Sequence, residues 1–266
     1  MILNIKFKSF KGFKMQEKEI EEFVKNRYSK IAKKDNSSCS CCNSSSDLIT
    51  KQAQVAGYST KELKSIPEEA VFGLGCGNPT ALAEIQAGET VLDLGSGGGI
   101  DVFLAANKVG ANGRVIGVDM TPDMIENAVK NAQNGGYTNV EFKLGEIENL
   151  PIEKNSIDVI ISNCVINLTP DKNKAYKEVN RVLKPGGRIL VSDLVTEGLI
   201  PEEILRSFQA WSECVGGALE KENYLNTIKN AGFKEVEILE QHFFTEPNMD
   251  KKLIGKITSI HLKAVK

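Results

Sequence analysis

Three cysteines stand where a thiol could do chemistry. Cys76 lies in Gly75-Cys76-Gly77, between glycines that loosen the backbone around it. Cys164 follows Ser162-Asn163 at the end of an apolar run, and Cys214 lies in Glu213-Cys214-Val215-Gly216-Gly217. Thiolates are nucleophiles and ligands for soft centres, so three of them brought together from distant segments would chelate one. Taken singly, each reads more readily as a small buried hydrophobe. A second constellation is Asp93-Leu94-Gly95-Ser96-Gly97-Gly98-Gly99, after an apolar run and before a helical pattern. Gly95, Gly97 and Gly99 permit a tight turn and a close approach of backbone to ligand. Asp119 closes the next apolar run, where a carboxylate can accept both ribose hydroxyls of an adenine nucleoside.

The other thiols, Cys39, Cys41 and Cys42, sit in a Ser/Asn-rich tract. Cys-x-Cys-Cys lacks the two paired ligand sets of common zinc modules. Six cysteines in 266 residues do not resemble the dense framework of a small secreted domain, and the first residues lack an uninterrupted apolar region. Reduced thiols and a cytoplasmic location are therefore expected. With 41% hydrophobic and 26% charged residues and a net charge of -2, the chain reads as globular, without the basic surplus of a nucleic-acid binder. No apolar run approaches the ~18 residues of a membrane helix.

The elements that must position these groups follow from periodicity. Ile20, Phe23, Val24, Tyr28 and Ile31 give residues 17–33 one apolar helical face. Shorter helices are expected after Ser59 and over 67–74. From residue 89, apolar runs at 90–94, 114–118, 140–144, 157–161 and 188–192 alternate with helical patterns at 100–108 and 122–134. Thr121-Pro122-Asp123 makes a helix start of the second pattern. Strands separated by helices argue an α/β fold, a parallel sheet with helices on both faces. Helices over 202–218 and 222–231 and a strand at 236–239 make a smaller α+β region. The expected organisation is an extension at 1–16, helices and the Cys-containing loop at 17–84, a nucleoside-binding domain at 85–195 and a substrate-site region at 196–266.

The D-x-G-x-G-x-G spacing resembles the first motif of class I S-adenosylmethionine-dependent methyltransferases, and the likeness extends over about 85–195. It implies a Rossmann-like fold and donor contacts from Asp93, Gly95, Ser96, Gly97, Gly99, Asp119 and Met120. Glu146 and Ile147 match the places that read the adenine, and Asn163 matches the end of the fourth strand, which faces the methyl donor. Leu183-Lys184-Pro185-Gly186-Gly187-Arg188 resembles the turn before the fifth strand.

Gly75-Cys76-Gly77, Ser162-Asn163-Cys164-Val165-Ile166-Asn167-Leu168 and Glu213-Cys214-Val215-Gly216-Gly217-Ala218 resemble, more specifically, segments of arsenite methyltransferases, from about residue 17 onward. That resemblance implies that Cys76, Cys164 and Cys214 hold trivalent arsenic, whose lone pair attacks the sulfonium methyl without a general base. It also implies a thiol reductant, glutathione or thioredoxin, a relay between one early-loop cysteine and Cys76, and a role in arsenic detoxification. Glu213 is a candidate for a hydrogen-bond network at the arsenic, and Tyr28 for a helix folded over the donor. The alternatives are a class I methyltransferase for a small organic acceptor such as a quinone precursor, and a thiol trap that binds arsenite or a metal without turnover. No nucleic-acid or membrane partner is expected.

Overall fold

The computed structural model describes residues 16–33, 46–245 and 249–266. Cys39, Cys41, Cys42 and the expected N-terminal extension, Gln16 excepted, lie outside the described residues.

Among the described residues, seven strands form one sheet. They are β1 (Thr90–Leu94), β2 (Arg114–Asp119), β3 (Val140–Leu144), β4 (Ile157–Asn163), β5 (Leu183–Thr196), β6 (Lys234–Phe243) and β7 (Ile257–Val265). The helices are α1 (Glu17–Ala32), α2 (Ser46–Val55), α3 (Thr60–Lys64), α4 (Pro79–Leu82), α5 (Ile100–Val109), α6 (Pro122–Asn134), α7 (Lys172–Val182), α8 (Glu202–Leu205), α9 (Phe208–Ser212) and α10 (Lys221–Asn230). The strand order is β3-β2-β1-β4-β5-β7-β6. Strands β1 to β5 pair in parallel, while β7 runs antiparallel to both β5 and β6.

Burial on both faces explains why the central strands are nearly unbroken apolar runs. Leu92, Leu94, Ile160 and Val191 face one side, against Tyr176 and Val179 of α7 and Tyr224 and Ile228 of α10. Val91, Val115, Val159 and Leu190 face the other side, against Val102, Ala105 and Ala106 of α5. The Pro185-Gly186-Gly187 turn loops out inside β5, so that Ile157 pairs with Leu183 but Val159 already pairs with Arg188.

Three features depart from the expected pattern. First, β7 was not foreseen and interrupts the parallel order. Its Thr258, Ser259 and His261 are buried beside Ile257, Ile260 and Leu262, and this mixture blurs the alternation that marks a strand. Second, β6 and β7, from residues 196–266, join the same sheet as β1 to β5, and α10 packs on one of its faces. Third, the helix expected over 202–218 breaks into α8 and α9 followed by a turn. Ser207 restarts the helix, its Oγ accepting from Ala210 N at 3.3 Å. Gly216 and Gly217 then pack against Trp211 and the Asn167 backbone, where a Cβ on Gly217 would lie 1.9 Å from the Asn167 carbonyl oxygen.

Candidate active site

The carboxyl ends of the parallel strands open into a cleft of about 1660 Å³, lined by β-strand ends, α1, the Cys76 segment and the turn after α9. This is where open α/β sheets place ligands.

One half of the cleft is built on the glycine loop between β1 and α5. Gly95, Gly97 and Gly99 have φ of 66°, 51° and 101°. A Cβ on Gly95 would come within 2.0 Å of Val165 Cγ2, so both conformation and space require glycine there. Asp119 ties loop and strand together: its Oδ2 accepts from Gly97 N at 3.0 Å and its Oδ1 from Thr121 N at 2.8 Å. The carboxylate, with about four acceptor sites, keeps capacity for a further donor. Burial raises the Asp119 carboxyl against those two hydrogen bonds. Burial, with Asp101 and Asp119 nearby, pushes Asp93 well above the usual carboxylate range. Ser96 Oγ is buried with no hydrogen-bond partner among the described residues. Met120, Glu146 and Ile147 line the same half. The 145–149 turn is held by Gly145 N donating to Asp119 O and Asn149 N donating to Glu146 O, at 3.0 and 3.1 Å.

The other half carries sulfur. The structure brings Cys76, Cys164 and Cys214 into one apolar cluster with Leu168, Leu194 and Val215. Cys76 and Cys164 are joined in a disulfide across a Cα–Cα distance of 6.0 Å. Cys214 Sγ donates to the Cys164 carbonyl oxygen at 2.8 Å. The disulfide corrects the expectation of reduced thiols throughout. The cause is Asn163, which lays the Cys76 segment across the end of β4. Its Oδ1 accepts from Cys76 N at 3.1 Å, and its Nδ2 donates to Gly77 O at 2.6 Å. Gly77 permits this approach, since a Cβ there would fall 2.3 Å from His261 Cε1 and 2.7 Å from Ser192 Oγ. Cys164 and Cys214 both adopt left-handed backbone, with φ of 58° and 65°, uncommon outside glycine.

Sequence reasoning missed two supports. Tyr58 is buried, and its hydroxyl donates to both Asp101 oxygens at 3.0 and 2.9 Å while accepting from Asn163 Nδ2 at 2.9 Å. Burial pushes the Asp101 carboxyl up to about 7 despite those bonds. Asn163 is thus engaged on several sides by Tyr58 and the Cys76 segment, as well as bordering the cleft. His261, given no role from sequence, lies beneath the segment with Nδ1 2.9 Å from Ser192 Oγ. No spacing in the sequence announces either group.

Helix α1 closes the cleft between the two halves. Asn127 Nδ2 of α6 donates to Ala32 O at 2.9 Å, and Lys33 pairs with Asp123 at 3.3 Å. Ser29 Oγ also donates to Asp123. At the other end, Arg27 donates to Ser212 Oγ at 2.6 Å and pairs with Glu213 at 3.3 Å. Tyr28 borders the cleft between these anchors, and burial raises its phenol. Glu213 therefore joins a network, one that fastens α1 to the turn after α9.

Residues 85–232 match the family model for a methyltransferase domain. The arsenite methyltransferase of Halobacterium salinarum is 39% identical over 263 aligned residues, covering 93% of this chain and 67% of that protein. The chain belongs to the arsenite methyltransferase family. The human arsenite methyltransferase is 33% identical over 91% of this chain and 65% of its own length. This member thus spans about two thirds of the length of these curated relatives. A solved relative, the arsenic(III) S-adenosylmethionine methyltransferase of Chlamydomonas reinhardtii, superposes with a TM-score of 0.65 at 34% identity, over 81% of this chain and 73% of that one. The fold of this arsenite methyltransferase family member is that of class I methyltransferases. Among the described residues, no helix is long and apolar enough to cross a membrane.

Proposed function

We propose that this protein methylates trivalent arsenic, arsenite and then methylarsenite, in arsenic detoxification, with S-adenosylmethionine as donor and Cys76, Cys164 and Cys214 as arsenic ligands. The observation that carries the reading is the convergence of these three sulfurs on one side of a class I methyltransferase cleft. A quinone-type acceptor gives those thiols no task, and a thiol trap gives the glycine loop and Asp119 none.

The donor half suits a cationic nucleoside. Ser96 Oγ, buried and without a partner, and the raised carboxyl of Asp93 mark places where a hydrogen-bonding cation would be stabilised. Asp93, Gly95, Ser96, Gly97, Gly99, Asp119, Met120, Glu146, Ile147 and Asn163 are the residues proposed to hold the donor. S-adenosylmethionine supplies a methyl group made electrophilic by its sulfonium.

Arsenic(III) with three hydroxides exchanges them for three thiols, releasing three waters, and keeps one lone pair. The protein orients that lone pair and keeps the sulfur side apolar; proximity alone removes much of the barrier. Methyl transfer raises arsenic formally to the pentavalent state. Two electrons must then return it to arsenic(III), and joining two thiolates as a disulfide releases two. The Cys76–Cys164 bond fits the protein left after that step. A dithiol reductant, glutathione or a thioredoxin-like partner, would reopen it by thiol–disulfide exchange.

The decisive experiment supplies arsenite, a thiol and methyl-labelled donor, and separates the arsenicals by chromatography. Labelled methylarsenicals are expected. Arsenite binding without label transfer would leave only the trap, and label on an organic acceptor alone would leave the quinone-type reading. The donor side is tested separately. Asp119→Ala is expected to weaken donor binding about tenfold or more, from lost charge-assisted hydrogen bonds of roughly 1.5–3 kcal/mol each. Unchanged donor affinity in calorimetry would remove Asp119 from the site.

A further inference from the structure

A hydrogen-bond chain of fixed direction runs from α5 to the Cys76 segment. Tyr58, between α2 and α3, is 2% exposed, its ring packed with Ala53, Ile66, Phe103 and Leu104. Its hydroxyl meets both Asp101 oxygens on one side and Asn163 Nδ2 on the other. Burial beside Asp101 keeps the phenol protonated. Of these partners only Asp101 accepts that proton, so toward Asn163 the phenol oxygen is an acceptor. The amide must therefore turn its NH2 edge to Tyr58. Asn163 also donates to Asp101 itself, which requires the same edge.

This orientation decides what the amide offers the Cys76 segment. Oδ1 accepts from Cys76 N, and Nδ2 donates to Gly77 O, so two successive residues are gripped at two points. Turned over, the amide would set N–H against the Cys76 N–H and oxygen against the Gly77 carbonyl, and both bonds would be lost. Gly75, with φ of 99°, packs against the same amide: a Cβ there would fall 2.8 Å from Asn163 Cγ. Glycines at 73, 75 and 77 give the segment little stiffness of its own, so the place of the Cys76 sulfur depends on what holds its backbone. Ser259 Oγ ties Cys76 O to β7 at 3.2 Å. The Asn163 grip ties the segment to the end of β4, where Cys164 follows.

We propose that Tyr58 is a positioning residue for Cys76: with its proton committed to Asp101, it fixes the Asn163 amide in the orientation that holds the Cys76–Gly77 backbone against the end of β4, sulfur beside Cys164. The consequence for methylation rests on the reading of Cys76 as an arsenic ligand; the test needs neither arsenic nor donor.

That test is the equilibrium of the full chain with glutathione and glutathione disulfide. Two glutathione thiols open one Cys76–Cys164 bond, giving two protein thiols and one glutathione disulfide. Mixtures are quenched with an alkylating agent, and the linked Cys76–Cys164 peptide is measured by mass spectrometry. Tyr58→Phe keeps the ring and removes the oxygen. The constant for closing the bond is expected to fall about fivefold, because the two sulfurs meet less often. Asn163→Leu, which removes the grip itself, should lower it about tenfold or more. The two substitutions together should do no more than Asn163→Leu alone, since Tyr58 acts through Asn163. A role in packing alone would lower the melting temperature and leave the constant in place. An unchanged or raised constant in folded Tyr58→Phe overturns the proposal, and so do losses that add in the double variant. If Tyr58→Phe does not fold, Asp101→Asn takes its place: it withdraws the charge that draws the Tyr58 proton, a smaller fall is expected, and no change overturns the proposal. A lowered constant in a protein whose Cys76→Ser variant still methylates arsenite sustains the Tyr58 assignment and removes Cys76 from the arsenic site.

Discussion

Cys214→Ser and Cys164→Ser are each expected to abolish methylation of arsenite while leaving donor affinity within about a factor of two. The loss should exceed about a hundredfold, equivalent to roughly 2.7 kcal/mol. A serine hydroxyl is hard and stays protonated at neutral pH, so it cannot replace a thiolate toward a soft centre. The two positions are also geometrically demanding. Cys164 N donates to Ser192 O at 2.7 Å, which anchors its left-handed backbone to β5. Cys214 is held over it by the bond to the Cys164 carbonyl. Serine is nearly isosteric, so the fold should survive, and calorimetry of donor binding reports on that directly. Turnover of inorganic arsenite at the wild-type rate by either variant would show that the three sulfurs are not the ligand set.

The parts of this site that were legible in the sequence share a physical cause. The central strands are buried on both faces, so Thr90–Leu94 and Ile157–Asn163 could only be apolar runs ending at the ligand edge. The glycines of the 95–99 loop mark the backbone itself, through left-handed conformations and a close approach to Val165. Such local signatures need no knowledge of partners. The rest depended on contacts between distant segments. Asp101 reads as an acid in the first turn of a helix, yet it is 3% exposed and bonded to Tyr58. Lys172, at the start of α7, is of a residue type that is ordinarily solvated, yet it lies buried against Trp211. The pairing of Cys76 with Cys164 follows from how Asn163 lays one segment over another, and no spacing in the chain encodes that. The break at Cys214 escaped notice because Glu202–Ala218 carries a helical pattern up to the glycines that end it.

Cys76→Ser is expected to separate the two substrates. Inorganic arsenite takes three sulfurs, whereas methylarsenite already carries one carbon and takes two. Cys164 and Cys214 come from the end of β4 and from the turn over it, and they remain in contact without Cys76. Cys76 comes from a segment outside the sheet, held by Asn163 and by Ser259 Oγ donating to Cys76 O at 3.2 Å. The variant should therefore lose arsenite methylation and keep a measurable part of its rate on methylarsenite, whereas Cys164→Ser and Cys214→Ser lose both. The disulfide adds a second readout. In the oxidised wild-type protein Cys164 is occupied by Cys76, so tight methylarsenite binding should require prior reduction. Cys76→Ser cannot make that bond, so its Cys164 should bind methylarsenite without added thiol. Arsenic retained per protein after desalting, with and without reductant, measures this directly, and rates on both substrates for the three variants complete the comparison. Equal loss on methylarsenite for all three variants, with no gain in reductant-free binding for Cys76→Ser, would mean that all three sulfurs serve every step. The division of labour would then be wrong even though the arsenic site stood.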